Sequence, residues 1–330
     1  MVIMKRYKDL ITLCVVALLA VLVFVQPQTA NADMGPKPSL NITFKNLSDK
    51  LCYATILSKN ISTGPHSAYA PDKGYDYKNW VEHDSNYYND EDYHNEEVER
   101  IWQVFVDYQD SDGYYFLQLW WKLGGESNSL KWGYYPPYSF KLLLYYPEQD
   151  VFVTSNVYER YAFDSYYTVD MSTANDLLLN PDSTVGDSHP NHDWNDFVEL
   201  ELENNYDYLS EIVGLLLRIA LTILIELLIA LLFRIKGRKP LLTILITNAA
   251  TQIALNVALN LIFYFNGALA YLLFFVLLEI AVVIVEAIVY CFLLRKNGVP
   301  IWKAILYALV ANLVTAVAGY YLANWLPGMF

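Results

Sequence analysis

The chain has 330 residues, 55% of them hydrophobic, and a formal net charge of -13. An acidic balance of this size disfavours nucleic acid as a partner, because phosphate binding is driven by Lys and Arg. The charge is unevenly spread: residues 33–205 hold 29 acids against 11 bases, whereas 206–330 hold five acids against eight bases among long apolar runs. That split predicts an acidic soluble domain joined to a membrane domain.

At the N-terminus, Lys5, Arg6 and Lys8 precede an apolar stretch at 10–25 and the small-residue run Ala30-Asn31-Ala32. This pattern predicts a secretory signal peptide at 1–32, cleaved after Ala32. Three cysteines occur, Cys14, Cys52 and Cys291, so no disulfide pair is available within residues 33–205.

Runs rich in β-branched and aromatic residues follow at 40–45, 51–58, 101–108, 113–123, 139–146, 151–158 and 197–203. They predict strands, and the weakness of helical patterns among them predicts an antiparallel, sandwich-like β domain over 33–205. DSDG at 110–113 reads as a hairpin turn between two of these runs, with Gly113 supplying the positive φ. In FVELELE, three glutamates alternate with Val198, Leu200 and Leu202, giving one wet and one dry face.

Residues 72–99 hold ten acids and two histidines. A solvated acidic loop is the simpler reading. The sharper one is a divalent-cation site drawn from His83, Asp90, Glu91, Asp92, His94 and Glu96, whose hard oxygens suit calcium although no spacing fixes their geometry. No other cofactor is expected.

Four apolar segments, at about 209–233, 240–264, 268–294 and 301–325, are each long enough to cross a bilayer. The turn after the first carries Arg234, Lys236, Arg238 and Lys239, and the turn before the fourth carries Arg295, Lys296 and Lys303. By the positive-inside rule, the basic turns 234–239 and 295–303 are cytoplasmic, which leaves 33–205 and the C-terminus outside. The signal peptide independently requires the same threading.

Polar residues in these segments are confined to one side of each helix. At 100° per residue, Glu211, Arg218, Thr222 and Glu226 fall within roughly 80° on the first, and Glu279, Glu286 and Tyr290 within about 40° on the third. Asn248, Gln252, Asn256 and Asn260 recur every fourth residue on the second, and Asn312 and Thr315 share a face of the fourth. Counting inward from the basic turns, Glu226, Asn248 and Glu286 share one depth, about 12 Å in, and Arg218, Asn256 and Glu279 a second, about 22–24 Å in. In the upper layer Arg218 can neutralise Glu279. The lower layer has two carboxyls and no base, so it needs a shared proton, a protonated acid or a cation.

The phrases DMGPKPS, STGP, YYPPYSFKLLLYYPE, VYERYAFDSYYTVDM and YDYLSEIVGLLLRIALTILIELLIALLFRIK, with the Asn-rich second helix, resemble a group of membrane proteins from Gram-positive bacteria. Those proteins have the same order of signal peptide, exported domain and four spans. The resemblance implies an architecture and a bacterial plasma-membrane setting; it implies no activity.

The expected molecule is therefore an extracytoplasmic β domain on a four-helix transmembrane bundle spanning 206–330. Its expected role is binding or sensing of an extracytoplasmic ligand or partner, with the bundle as anchor or relay. The alternative is cation or proton movement through a homo-oligomer, centred on Glu226, Asn248 and Glu286. For the seam taken by itself, structural glue between helices is the first reading, ahead of a cation or proton site and of a catalytic or lipid-headgroup site. An intramembrane enzyme ranks last, since no Ser-His-Asp or Cys-His constellation is readable.

Overall fold

A computed structural model describes residues 35–78, 96–125, 127–172, 174–175 and 199–325. The expected signal peptide, and residues 79–95 of the acidic stretch, lie outside the described residues. The chain forms two compact units, one of them Lys37–Tyr206 and the other containing Asp207–Phe330.

In chain order the first unit has strands β1 (Ser39–Lys45), β2 (Cys52–Ser58), β3 (Ser62–Thr63) and β4 (His66–Ser67), then helix α1 (Glu96–Asp107). Strands β5 (Tyr115–Leu123), β6 (Ser129–Trp132), β7 (Ser139–Tyr146), β8 (Val151–Ser155) and β9 (Tyr158–Glu159) follow. The unit closes with β10 (Asp164–Asp170), β11 (Glu199–Leu200) and β12 (Leu202–Asn204). One sheet has the order β12-β10-β1-β6, the other β11-β8-β7-β2-β5 with β9 beside β7, and β3 pairs with β4 alone.

Alternation explains where the core sits. Leu40, Ile42 and Phe44 of β1 and Val169 of β10 point to the same buried cluster as Cys52, Ala54 and Ile56 of β2 and Leu142, Leu144 and Tyr146 of β7. Each apolar side chain removed from water in this way stabilises the unit by about 1.5–3 kcal/mol. The intervening residues of β2 and β7, Tyr53, Leu57, Leu143 and Tyr145, are covered by Ile101, Trp102 and Phe105 of α1. Both faces of the larger sheet are therefore dry, and β2 is buried at all seven positions.

Three expectations are corrected. Residues 101–108 are not a strand: their β-branched and aromatic residues belong to α1, whose apolar side recurs as Val98, Ile101, Trp102 and Phe105. That spacing is helical, and Glu96, Glu97 and Glu99 in the first turn complement the helix dipole. DSDG consequently turns the chain from a helix into β5, not between two strands; Gly113 has φ 73° as expected, and its N–H donates to the Asp110 carbonyl at 3.0 Å. Nor are the sheets purely antiparallel, since β1 runs parallel to β10 from Ser39 opposite Asp164 to Lys45 opposite Asp170. The FVELELE segment divides between the two sheets, β11 joining β8 and β12 joining β10, while Leu200 and Leu202 are buried.

The second unit consists of α2 (Tyr208–Leu232), α3 (Arg238–Leu293) and α4 (Ile301–Trp325). All three are long and apolar enough to cross a membrane, which fits a membrane-spanning protein. Their outer faces carry exposed apolar side chains such as Leu216, Leu272, Phe292 and Leu232, the last 80% accessible. Asp207 caps α2 by accepting from the Ser210 N–H at 3.0 Å. Helix α3 is interrupted at Gly267, where φ is 77° and ψ is -176°, so it comprises two limbs, 238–266 and 268–293. Side chains other than glycine do not enter that region of φ/ψ space without strain.

Candidate functional site

The polar sides of α2, both limbs of α3 and α4 converge. Glu226, Asn248 and Glu286 are fully buried, Asn312 is 2% exposed, and the rings of Tyr290 and Tyr307 are enclosed with them. The Asn248 amide donates both to Glu226 Oε2 and, at 3.1 Å, to the Tyr290 hydroxyl. Glu286 accepts from the Thr251 hydroxyl at 2.6 Å through Oε1 and from the Asn312 amide at 2.7 Å through Oε2. Tyr307 donates to the Glu226 carbonyl at 3.2 Å, tying α4 to α2 at the same level.

Local sequence places each of these groups. Asn248 and Thr251 occupy successive turns of one face of the first limb, and Glu286 and Tyr290 lie one turn apart on the second. Small residues let the helices approach: Ala230, Ala304, Ala308 and Ala311 are completely buried beside the cluster. Val289 and Leu293 complete the apolar seal around it.

Among the described residues no donor reaches three oxygens of the cluster, Glu226 Oε1, Asn248 Oδ1 and Asn312 Oδ1. Each buried acceptor left in that state costs about 1–3 kcal/mol. Glu226 and Glu286 are hydrogen-bonded by amides and hydroxyls only, and no Lys, Arg or His is among the side chains that touch them. Chemically the cluster is an oxygen-rich, water-excluded acceptor set with no internal counter-ion.

The second expected layer is built differently. Arg218, Asn256 and Glu279 line a single partly open cavity of about 240 Å³, together with Gln252, Tyr271 and Thr315. The expected neutralisation of Glu279 by Arg218 does not occur: among the described residues neither enters an ion pair, and the Arg218 Nε donates to the Gly214 carbonyl of its own helix at 3.3 Å. Asn256 donates to the Gln252 carbonyl at 2.9 Å. Thr222, Gln252 and Thr315 each lie about one turn, and Glu279 two turns, from Glu226, Asn248, Asn312 and Glu286, all toward the same end of the unit.

Tyr307, Thr251 and Asn312 complete the lower cluster and were absent from the layers read off the sequence. Asn312 had a visible signal, its shared face with Thr315. Thr251 and Tyr307 had none, because a threonine or tyrosine in an apolar helix is ordinary core.

In the β unit, a cavity of about 270 Å³ is lined by Tyr69, Phe105, Tyr108, Tyr114 and Phe116, with Asp110 at its edge. Lys141 spans Asp110 at 2.8 Å and Asp112 at 2.6 Å beside it. Of the proposed metal ligands, Glu96 lies exposed at the start of α1, while His83, Asp90, Glu91, Asp92 and His94 are outside the described residues. Among the described residues no group of three or more His, Cys, Asp or Glu is placed to hold a metal ion.

No family model, curated protein or solved structure matches this chain.

Proposed function

We propose that the helical unit binds a proton or a small monovalent cation at the Glu226–Asn248–Glu286 cluster and moves it within a homo-oligomer. One observation carries this reading: three donorless oxygens sit in a sealed cluster that also holds two carboxyls and no base. A buried carboxylate pair is tolerated in an apolar medium only with a proton or cation to offset its charge. Oxygen ligands from carboxyl, amide and hydroxyl groups suit hard cations. The open cavity one to two turns away supplies an approach from one end.

The setting in which this reading operates is a bacterial plasma membrane crossed four times, with α3 counted as two spans joined at Gly267. Residues 33–205 form a sandwich-like exported domain, and the basic turns 234–239 and 295–303 face the cytoplasm. The distribution of Arg234, Lys236, Arg238, Lys239, Arg295, Lys296 and Lys303 supports that orientation. Single cysteines placed at 237 and 298 in a Cys-free chain should resist a membrane-impermeant maleimide in intact cells, and one at 61 should react.

Uptake into proteoliposomes tests the function. The wild-type protein should carry protons, Na⁺ or K⁺ down an imposed gradient, and Glu286→Gln should abolish uptake while the oligomer persists. Equal uptake by wild type, Glu226→Gln and Glu286→Gln sinks the reading. In that event the favoured role is ligand binding or sensing by the exported domain, which the aromatic cavity beside Lys141 and Asp110 supports.

A further inference from the structure

The cavity lined by Arg218 and Glu279 has a chemistry of its own. It places one positive and one negative side chain on different helices, half-buried and unjoined, in a space of about 240 Å³. In an apolar surround, two opposite charges within reach of each other normally collapse into an ion pair. Here, among the described residues, neither enters an ion pair, so each charge is left without a protein counter-ion.

We propose that this cavity binds a zwitterion, with an anionic oxygen group on Arg218 and an ammonium group at Glu279. A guanidinium presents paired N–H donors that match a carboxylate or a phosphate in a bidentate arrangement. Glu279 supplies a carboxylate for the ammonium group, and Tyr271, which also lines the space, has a ring that attracts a cation to its face. Gln252 and Asn256, both 5% exposed, add amide groups to the lining. Leu255, Leu259 and Phe275 supply an apolar side against which a short hydrocarbon portion packs.

A ligand carrying both charges satisfies both side chains without adding net charge to the membrane interior; a simple cation or anion satisfies one and leaves the other. The volume is smaller than the roughly 300–1,000 Å³ of pockets for drug-sized ligands. A free amino acid and the ethanolamine phosphodiester headgroup of a membrane lipid share the required chemistry.

The test uses the full-length protein in two arms. In the lipid arm, nanodiscs of mixed phosphatidylethanolamine and phosphatidylglycerol are analysed by native mass spectrometry for retained lipid. In the soluble arm, glycine and phosphoethanolamine are titrated calorimetrically into protein in phosphatidylglycerol nanodiscs. Retention of phosphatidylethanolamine over phosphatidylglycerol assigns the site to a lipid headgroup, and heat from either soluble zwitterion assigns it to a free solute. Arg218→Gln and Glu279→Gln should each weaken the binding seen about tenfold, the loss of one charge-assisted contact, whereas Arg218→Lys, which keeps the charge but loses the paired donors, should weaken it less than Arg218→Gln. Glu279→Gln should also shift retention toward phosphatidylglycerol, because only the ammonium contact is removed. The proposal fails if wild-type protein shows neither preference, a result that needs no variant to fold. It fails equally if both Gln variants keep wild-type binding.

Discussion

The side-chain amide of Asn248 donates to a carboxylate oxygen of Glu226, 22 residues earlier and on another helix, and leaves that carboxylate's second oxygen bare. A bond of this kind locks two helices in register. On the proposed reading, the bare oxygen is where a proton or cation is held.

The first prediction separates those two roles. Hydrogen bonds between membrane helices contribute about 0.6 kcal/mol on average and reach about 1.7 kcal/mol. Glu226→Gln preserves the hydrogen-bonding shape, so unfolding in mixed micelles should shift by no more than about 1–2 kcal/mol. Cation- or pH-dependent stabilisation of the wild type, followed by thermal melting, should disappear in the same variant. A variant that melts like wild type and still responds to cation contradicts the assignment.

The second concerns the interruption of α3. Gly267→Ala forces a Cβ into backbone space that only glycine occupies freely, at a cost of about 1–3 kcal/mol. The variant should unfold at a lower denaturant fraction in micelles, and Gly319→Ala, whose added Cβ meets nothing within 4 Å, should lose less. Equal effects would show that the left-handed geometry at position 267 carries no strain.

Much of the helical unit could be read from residue spacing. Uninterrupted apolar segments gave helix bounds close to those observed, and the break falls at the Asn266-Gly267 pair because no other residue there tolerates φ 77°. The one-sidedness of Asn248, Glu226 and Glu286 was visible as angular clustering, because polar groups in lipid have few places to go. Pairing was not. Depth counting puts Arg218 level with Glu279, yet whether two side chains meet depends on helix separation, which a periodic pattern does not encode. In the β unit, Ile101, Trp102, Val104 and Phe105 suit a strand by type and a helix by spacing, and composition misled where periodicity would have decided. The parallel pairing of β1 with β10 joins residues 125 apart, a non-local relation with no local signature.

A third prediction follows from the buried ion pair of the β unit. The Lys141 side chain is 7% exposed and that of Asp110 is 2%, while Asp112 is 61% exposed. Lys141→Met leaves the Asp110 carboxylate buried without its partner and should destabilise the unit by about 3–5 kcal/mol. Asp112→Ala removes a solvated partner and should cost about 0–1 kcal/mol. Chemical denaturation followed by tryptophan fluorescence distinguishes the two.

The fourth is a pH dependence. The Ser172 hydroxyl at 2.6 Å, the Asn46 amide at 3.0 Å and the Ser172 N–H at 2.9 Å hold the Asp170 carboxyl down at about 2. Hydrogen bonds from Tyr53 and Lys122 likewise lower Glu97 below the ordinary carboxylate range. Both groups bind protons more readily unfolded than folded, so their stabilising contribution is complete above the unfolded carboxyl values near 4. It should be lost as pH falls toward 2. Melting temperatures of wild type and Asn46→Ala should converge below pH 2 and diverge above pH 4; a constant difference across that range would remove Asp170 as the cause.

The fifth concerns Cys52, whose thiol is buried in the sheet-to-sheet core and pushed up to about 12 by that burial. A thiol at that value is almost entirely unionised at pH 8 and is therefore a poor nucleophile. Iodoacetamide should leave Cys52 unlabelled in the folded protein and modify it in denaturant, as peptide mass mapping can record.

The placement of β1 between β6 and β10 also governs the order of assembly on the ribosome. The first strand described needs one neighbour from 129–132 and another from 164–170, so one edge stays bare until residue 129 is made and the other until residue 164. Bare edges of that kind invite mispairing with other chains. The last strand, at 202–204, covers the outer edge of β10 and ends just before helix α2 begins at Tyr208, so the sheet is completed only as the membrane-seeking segment is being made.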